Sequence, residues 1–393
     1  MTLLRRSLSM GEGPGSAGHV LSLLRAGPLT RSELAELTGQ ARSTVVQRLE
    51  SLQAAGLVRE ASNLTTTGGR PSVAFEFDPT QHAILSADLG IRRATFAVTT
   101  LAGEVLSQLE EPIDIAAGPG PVLGLVAERL RWLGDVAGMD PIAVGIGLPG
   151  SVDRSGLPVA PPNMPGWDGT DVRAVLSEAS GLPAFAANDA NVLALGERAA
   201  AWPDVDNLMY VHVGTGIGAG IVADGRLLHG AEGAAGDLGH IFAPGARGRA
   251  CRCGNVGCLD TYASGAGVLE TLRLAGSPLT SLDEVLERVA AGDADVAGVL
   301  RDAGRVLGDV VASCVALLNP RVVVVGGRLG MAGEALVAGV REAVYARVLP
   351  LASRELRVTA ARSGSSGGVI GAALLAADAA LSGDLLESRL RAA

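Results

Sequence analysis

Apolar residues recur at helical spacing three times near the start of the chain. Within Ala17–Glu60 a first stripe runs from His19 to Ala26 and stops at Gly27-Pro28. Thr30, with Glu33 three residues on, has the form of a capping box opening a second helix that ends at Gly39. A third helix is expected from about Ala41 to Ala55, with Val45, Val46, Leu49 and Leu52 as its buried stripe and Gly56 as its stop. Two short helices joined by a tight Gly-containing turn, then LVRE and a polar-tipped hairpin, form the layout of a winged helix-turn-helix.

From about His82 the period shifts from helix to strand. The segments AILSADLG, ATFAVTTLAG and EVLSQLEEPI predict three strands joined by tight turns, followed by a helix over Val122–Val136 and the strand AVGIGLPG. Asn207–Gly230 repeats the layout of strand, Gly-bearing turn, strand, turn, strand. Then come a long helix (Val296–Leu318), the buried-type strand RVVVVGG, another helix and a last strand, LRVTAA. Two such units predict a duplicated α/β body of two lobes with a ligand cleft between them; periodicity alone gives no more than this, but the outline resembles actin and the sugar kinases with their ribonuclease H-like halves. The expected division is a flexible tail over 1–18, a winged helix-turn-helix with its linker over 19–78, and the body over 82–393. Lobe one takes about 82–203 plus the C-terminal helix, and lobe two about 204–365.

Composition fits this outline. With 393 residues, 48% apolar and 19% charged, the chain is long enough for several cores. Its first 18 residues lack the apolar run of a signal peptide and no later run approaches a membrane span, so the cytoplasm is the expected location and no membrane partner is expected. A net charge of −9 argues against indiscriminate nucleic-acid binding by the whole molecule, but leaves room for a small DNA-binding head. The chain has no lysine, which removes Schiff-base chemistry and the G-x4-G-K-[ST] phosphate loop.

The third helix and its approach carry Gln40, Arg42, Ser43, Thr44, Gln47 and Arg48, polar side chains suited to base edges and phosphates. Arg70, just past the wing, would add a basic contact. A protein-interaction module with a polar outer face is the other possibility, and the head is only slightly positive. Gly214, Thr215 and Gly216 form a Gly-rich turn between two strands, which either cradles phosphate or is a plain hairpin. GSSGG (Gly364–Gly368) matches a nucleophile elbow in form, but no histidine follows it, so it reads as a glycine-rich helix start that either holds an anion or simply makes a turn. Asp189 in AFAANDANVLALGE either caps a helix or presents a carboxylate at the end of a strand, where it could act as a general base.

Three of the four cysteines, Cys251, Cys253 and Cys258, lie within eight residues, and His240 precedes them by 11. A cytoplasmic disulfide is disfavoured, and the C-x-C-x4-C order lacks the C-x-x-C of redox sites. Three thiolates and one imidazole suit a closed, structural zinc site better than free thiols. Cys314, among Val and Ala in a helix, is expected in the core.

With these pieces in place, CRCGNVGCLD is similar to the C-x-C-G-x-x-G-C-x-E signature of the ROK family, which groups sugar-responsive repressors with sugar kinases. GGRPS (Gly68–Ser72) behind a winged helix-turn-helix resembles the repressor branch. The resemblance implies a sugar held between the lobes by Asn163, Asn188, Asp189, Asp237, His240 and Asp260. It also implies a palindromic operator bound by a homodimer or homotetramer. A kinase with an accessory head is the alternative, with Asp189 as the base. Two features depart from the family. Where the kinases carry D-x-G-G-T, this chain reads DLGIRR (Asp88–Arg93), which compromises close backbone approach to phosphate. Positions 237 and 260 hold aspartate for glutamate, reaching about 1.5 Å less.

Overall fold

The computed structural model describes residue 13, residues 15–61 and residues 73–392. Arg70, the GGRPS linker, the hairpin tip and the first twelve residues of the expected tail lie outside the described residues. The first helix begins earlier than its apolar stripe suggested: it spans Ala17–Ala26, because Ser16 caps it by accepting from His19 N. Ala17 and Gly18 therefore belong to the helix and not to a tail. The Thr30–Glu33 capping box is formed, and the second helix (Arg31–Thr38) ends at Gly39, whose φ of 67° is left-handed. The third helix (Arg42–Ala54) buries Val45, Leu49 and Leu52, while Val46 is only half-buried. Three short strands complete the head: β1 (Leu29–Thr30), β2 (Val58–Glu60) and β3 (Ala74–Phe77), antiparallel in the order β1-β3-β2.

Two five-stranded sheets form the body. The first contains β4 (His82–Leu89), β5 (Arg93–Thr100), β6 (Val105–Pro112), β7 (Asp140–Leu148) and β8 (Ala184–Asn188), in the order β6-β5-β4-β7-β8. The second contains β9 (Leu208–Val213), β10 (Ile217–Ala223), β11 (Arg226–Leu227), β12 (Val322–Gly326) and β13 (Arg357–Ala360), in the order β11-β10-β9-β12-β13. Each is an antiparallel meander extended on one side by two parallel strands, so the topology is duplicated. β12 is buried along its whole length, as a strand covered on both faces must be.

Lobe one is completed by the chain's end. The helix Gly367–Ala380 comes back from lobe two to pack on β4, β7 and β8 and on the helix Asp189–Ala201. The head rests on the same region. Leu21 and Leu24 of the first helix share an apolar cluster with Ala376 and Ala377 of the Gly367–Ala380 helix and with Leu386 of the last helix, Gly383–Ala392. Arg25 and Asp378 add an ion pair at 2.6 Å. No single helix among the described residues is long and apolar enough to cross a membrane.

Candidate functional site

The site is built where β4 and β8 end and where two segments of lobe two approach them. β8 delivers Asn188, whose Oδ1 accepts from Ala190 N at 2.9 Å while its Nδ2 donates to Gly150 O at 2.8 Å. Asn188 is thus the N-cap of the following helix. Asp189 is its first residue and not its cap, although its Oδ1 also accepts from Ala190 N at 2.7 Å. Burial raises the Asp189 pKa, with His212 pulling the other way.

Asp88, at the end of β4, is the second carboxylate here. Its Oδ1 is out of solvent and has no hydrogen-bond partner. Burial, and then the charge of Asp189, push its pKa up to about 7. His212 Nδ1 is likewise buried without a partner. The sign of the pH dependence follows: between the ordinary carboxylate range and about pH 7, the folded protein holds a proton that the unfolded chain has released. Asp88's contribution to stability is therefore greatest at low pH and lost as pH rises through about 7. Asp88→Asn is expected to flatten the decline in stability between pH 5 and pH 8, by on the order of 2 kcal/mol. Urea unfolding at the two pH values measures this, and parallel declines in both proteins would refute it.

On the lobe-two side, residues 239–243 run beside residues 257–260. Asp260 N donates to Gly239 O and Leu259 N to Ile241 O, both at 2.9 Å, and Ala243 N donates to Gly257 O at 2.9 Å. This pairing puts Asp237 and His240 next to Asp260. Asp260 is half-buried, its pKa is raised by burial, and its Oδ1 accepts from Ile217 N at 2.8 Å. Asp237 and His240 are exposed.

His240, Cys251, Cys253 and Cys258 converge, with their donor atoms all within 4.8 Å of one another. Cys251 Sγ lies 3.6 Å from His240 Nδ1, and Cys253 Sγ lies 3.6 Å from Cys258 Sγ. A tetrahedral zinc with Zn–S of about 2.3 Å and Zn–N of about 2.0 Å requires S···S of about 3.8 Å and S···N of about 3.5 Å. The donor set fits a metal by number and chemistry, and these two distances suit a tetrahedral site. The backbone N–H of Asn255 draws the Cys253 thiol down to about 7, whereas burial pushes Cys258 up to about 12. Cys314 is partly buried against the lobe-two core and lies outside this cluster.

Asn163, from lobe one, accepts from Arg252 Nη1 at 3.0 Å. Arg252 stands between two of the cysteines, so the Cys/His loop reaches across the cleft. Sequence reasoning missed this arginine, as it missed Asp88 and His212 as neighbours of Asp189. Nothing in a linear motif says which way the intervening side chain points. The Gly-rich turn is a hairpin closed by Gly214 N donating to Gly216 O at 2.9 Å, and Thr215 is exposed. Gly265 N, opening the helix Gly265–Leu274, donates to Gly214 O at 2.8 Å.

At the other end of the molecule, Arg42, Ser43 and Gln47 are exposed, and Thr44 and Arg48 are half-buried. Arg48 Nε is out of solvent without a partner. Gln40 lies in the turn before the helix, its side chain against Gly15.

The ROK family profile matches residues 84–379, and the MarR family profile matches residues 14–64. The chain belongs to the ROK family. It is 28% identical over 385 residues to the Escherichia coli DNA-binding transcriptional dual regulator NagC, covering 93% of this chain and 92% of NagC. It is 32% identical over 308 residues to the glucokinase of Thermotoga maritima, covering 96% of the kinase but 74% of this chain. A solved ROK family transcriptional regulator, a homologue of the E. coli MLC protein, superposes with a TM-score of 0.80 at 29% identity, covering 96% of this chain and 98% of that one. The departure of this ROK chain from D-x-G-G-T has a structural counterpart. Ile91 packs on the lobe-one core, and its carbonyl accepts from Ile115 N at 3.2 Å. The turn is anchored inward through the Ile91 side chain and carbonyl, and Gly90 N is taken up by Arg93 O at 2.8 Å.

Proposed function

We propose that this protein is a sugar-responsive transcriptional repressor. It binds a palindromic operator in the cytoplasm as a homodimer or homotetramer, through the Arg42–Ala54 helix and the wing, and releases it when a sugar fills the inter-lobe cleft. Asn163, Asn188, Asp189, Asp237, His240 and Asp260 contact the sugar in this mechanism. Zinc on His240, Cys251, Cys253 and Cys258 supplies structure alone, since its four positions are all taken by protein. Nδ1 is the His240 nitrogen that faces Cys251, so zinc held there would leave the proton on Nε2 and that nitrogen free to donate.

One observation carries the proposal: the apolar cluster shared by the head and the two C-terminal helices. Because the Gly367–Ala380 helix also packs on the helix that Asp189 opens, a sugar at Asp189 and the DNA-binding head act on one packed unit. A sugar that binds the closed cleft more tightly shifts the population of head spacings, and half-site separation is a rigid geometric demand. The decisive measurement is an operator gel shift of the full chain against a sugar panel at fixed salt. Release by at least one sugar is expected, and indifference to every sugar would refute the switch. Arg42→Ala is expected to weaken operator binding by about 1–3 kcal/mol with sugar affinity unchanged.

Asp189 in its buried setting also suits a kinase base, which keeps phosphoryl transfer as a second reading. The inward-anchored turn at Ile91 weighs against it. A coupled ADP-release assay that finds turnover abolished by Asp189→Ala would favour the kinase.

A further inference from the structure

Along the outer edge of β8 lies a cavity of about 170 Å³ whose wall includes neither Asp237 nor Asp260. A single water needs roughly 10–15 Å³ by such a measure, so the space suits a small metabolite. Its polar lining comes from both lobes: Arg154, Arg173, Asn188 and Asn191 from lobe one, and His229 from the loop after β11.

Two of these side chains hold a buried polar atom without a partner, one an acceptor and one a donor. Asn191 is only 4% exposed, and its Oδ1 is out of solvent without a partner. Arg173 Nε is buried without a partner as well. A buried polar group left this way costs about 1–3 kcal/mol, so an occupant that meets it gains that much affinity. The guanidinium needs an acceptor, best an anionic one, and the amide oxygen needs a donor such as a hydroxyl. Arg154 adds positive charge while donating to Gly230 O at 3.2 Å, which ties the lobe-two loop down. Asp153 is the acid of the lining, and its Oδ1 is turned into its own hairpin by Ser155 N at 2.8 Å and Leu157 N at 2.9 Å. Burial, then Arg154, lowers the His229 pKa, so its imidazole is neutral and can both donate and accept.

The cavity's position gives it a further consequence. Asn188 is the wall it shares with the sugar cleft. Leu375 and Ala379 line it from the Gly367–Ala380 helix, whose Asp378 holds Arg25 of the head. An occupant therefore touches both lobes and the helix that carries the head.

We infer that this cavity is a second ligand site, for a small hydroxylated anion bearing a phosphate or a carboxylate, and that its occupancy tunes operator binding. The tuning rests on the repressor proposal, whereas the binding does not.

Titration calorimetry of the full chain with inorganic phosphate, citrate and glucose 6-phosphate, at constant ionic strength, tests the site. At least one probe is expected to bind saturably at one site. Arg173→Gln and the isosteric Asn191→Asp, each checked for folding by circular dichroism, are expected to weaken it about tenfold or more. Asp260→Ala, in the sugar cleft, is expected to change it less than about twofold. Binding of the phosphates alone assigns a phosphate ester, and binding of citrate alone a carboxylate. No saturable binding by any probe, or binding lost in Asp260→Ala but kept in both cavity variants, overturns the site. Gel shifts with the bound anion then test the tuning, with an operator affinity change of about threefold or more expected. An unchanged affinity overturns the tuning, and a chain that binds no operator without ligand indicts the repressor proposal instead.

Discussion

Cys253→Ser is expected to strip the protein of zinc and of its sugar response together, while the sugar-free protein still binds its operator. Cys253 is exposed, so the substitution opens no cavity in the core and isolates the loss of a ligand. The expected size is large, because structural zinc sites contribute apparent free energies of about 10–16 kcal/mol where metal binding and folding are one event. The consequence for the sugar follows from where the ligands stand. His240 is three residues beyond Asp237, and Cys258 two before Asp260. Three backbone bonds between the 239–243 and 257–260 segments hold them loosely, in a region with little regular secondary structure. Zinc on His240 and Cys258 would lock both segments, and a third and fourth ligand would hold Arg252 at its place beside Asn163. Metal content by atomic absorption and sugar affinity by calorimetry measure the two losses, with Cys314→Ser as the control expected to change neither. A Cys253→Ser protein without zinc but with its sugar affinity intact would show that the backbone pairing suffices.

The parts of this protein that the sequence made legible are those with a local cause. The capping box at Thr30 and Glu33, the strand runs from His82 and the repeated strand-turn-strand unit each rest on spacing within about two dozen residues, and each formed where expected. The Cys/His cluster was legible for a different reason. Its donor types are few in this chain, and three of the four lie within eight residues. What stayed hidden depends on long-range placement. Asp88 and Asp189 come together because β4 and β8 flank β7, a fact of topology and not of either segment. Asn188 took the N-cap role expected of Asp189 because the strand ends one residue earlier, a difference no propensity resolves. The joint packing of the first helix with the chain's last two could not be read at all, since residues at the two ends carry no mark of one another.

The second large effect is expected at the crossing of the helices Asp189–Ala201 and Gly367–Ala380, where Gly371→Ala should destabilise the protein by about 3 kcal/mol or more. A Cβ at Gly371 would fall 1.7 Å from Val192 O, and one at Gly196 would fall 1.8 Å from Gly367 O. Both obstacles are backbone, so no side-chain rotation relieves them and the helices must separate. The comparison is Gly124→Ala, in the middle of the Pro119–Ala137 helix, where an added Cβ meets nothing within 4 Å. There the substitution should stabilise by up to about 1 kcal/mol, the ordinary helix preference of alanine over glycine. Opposite signs for the same chemical change would locate the effect in the crossing and not in helix propensity. The crossing also links Asp189, at the start of one helix, to the helix that buries Ala376 and Ala377 against the head. Prying it apart should therefore leave operator binding in place while blunting its release by sugar, because the closure of the cleft no longer reaches the head as one rigid unit. Denaturant melts and sugar-dependent gel shifts on the two alanine variants measure this. A Gly371→Ala protein as stable and as sugar-responsive as the parent would show that the two helices slide apart at little cost and that the signal takes another route.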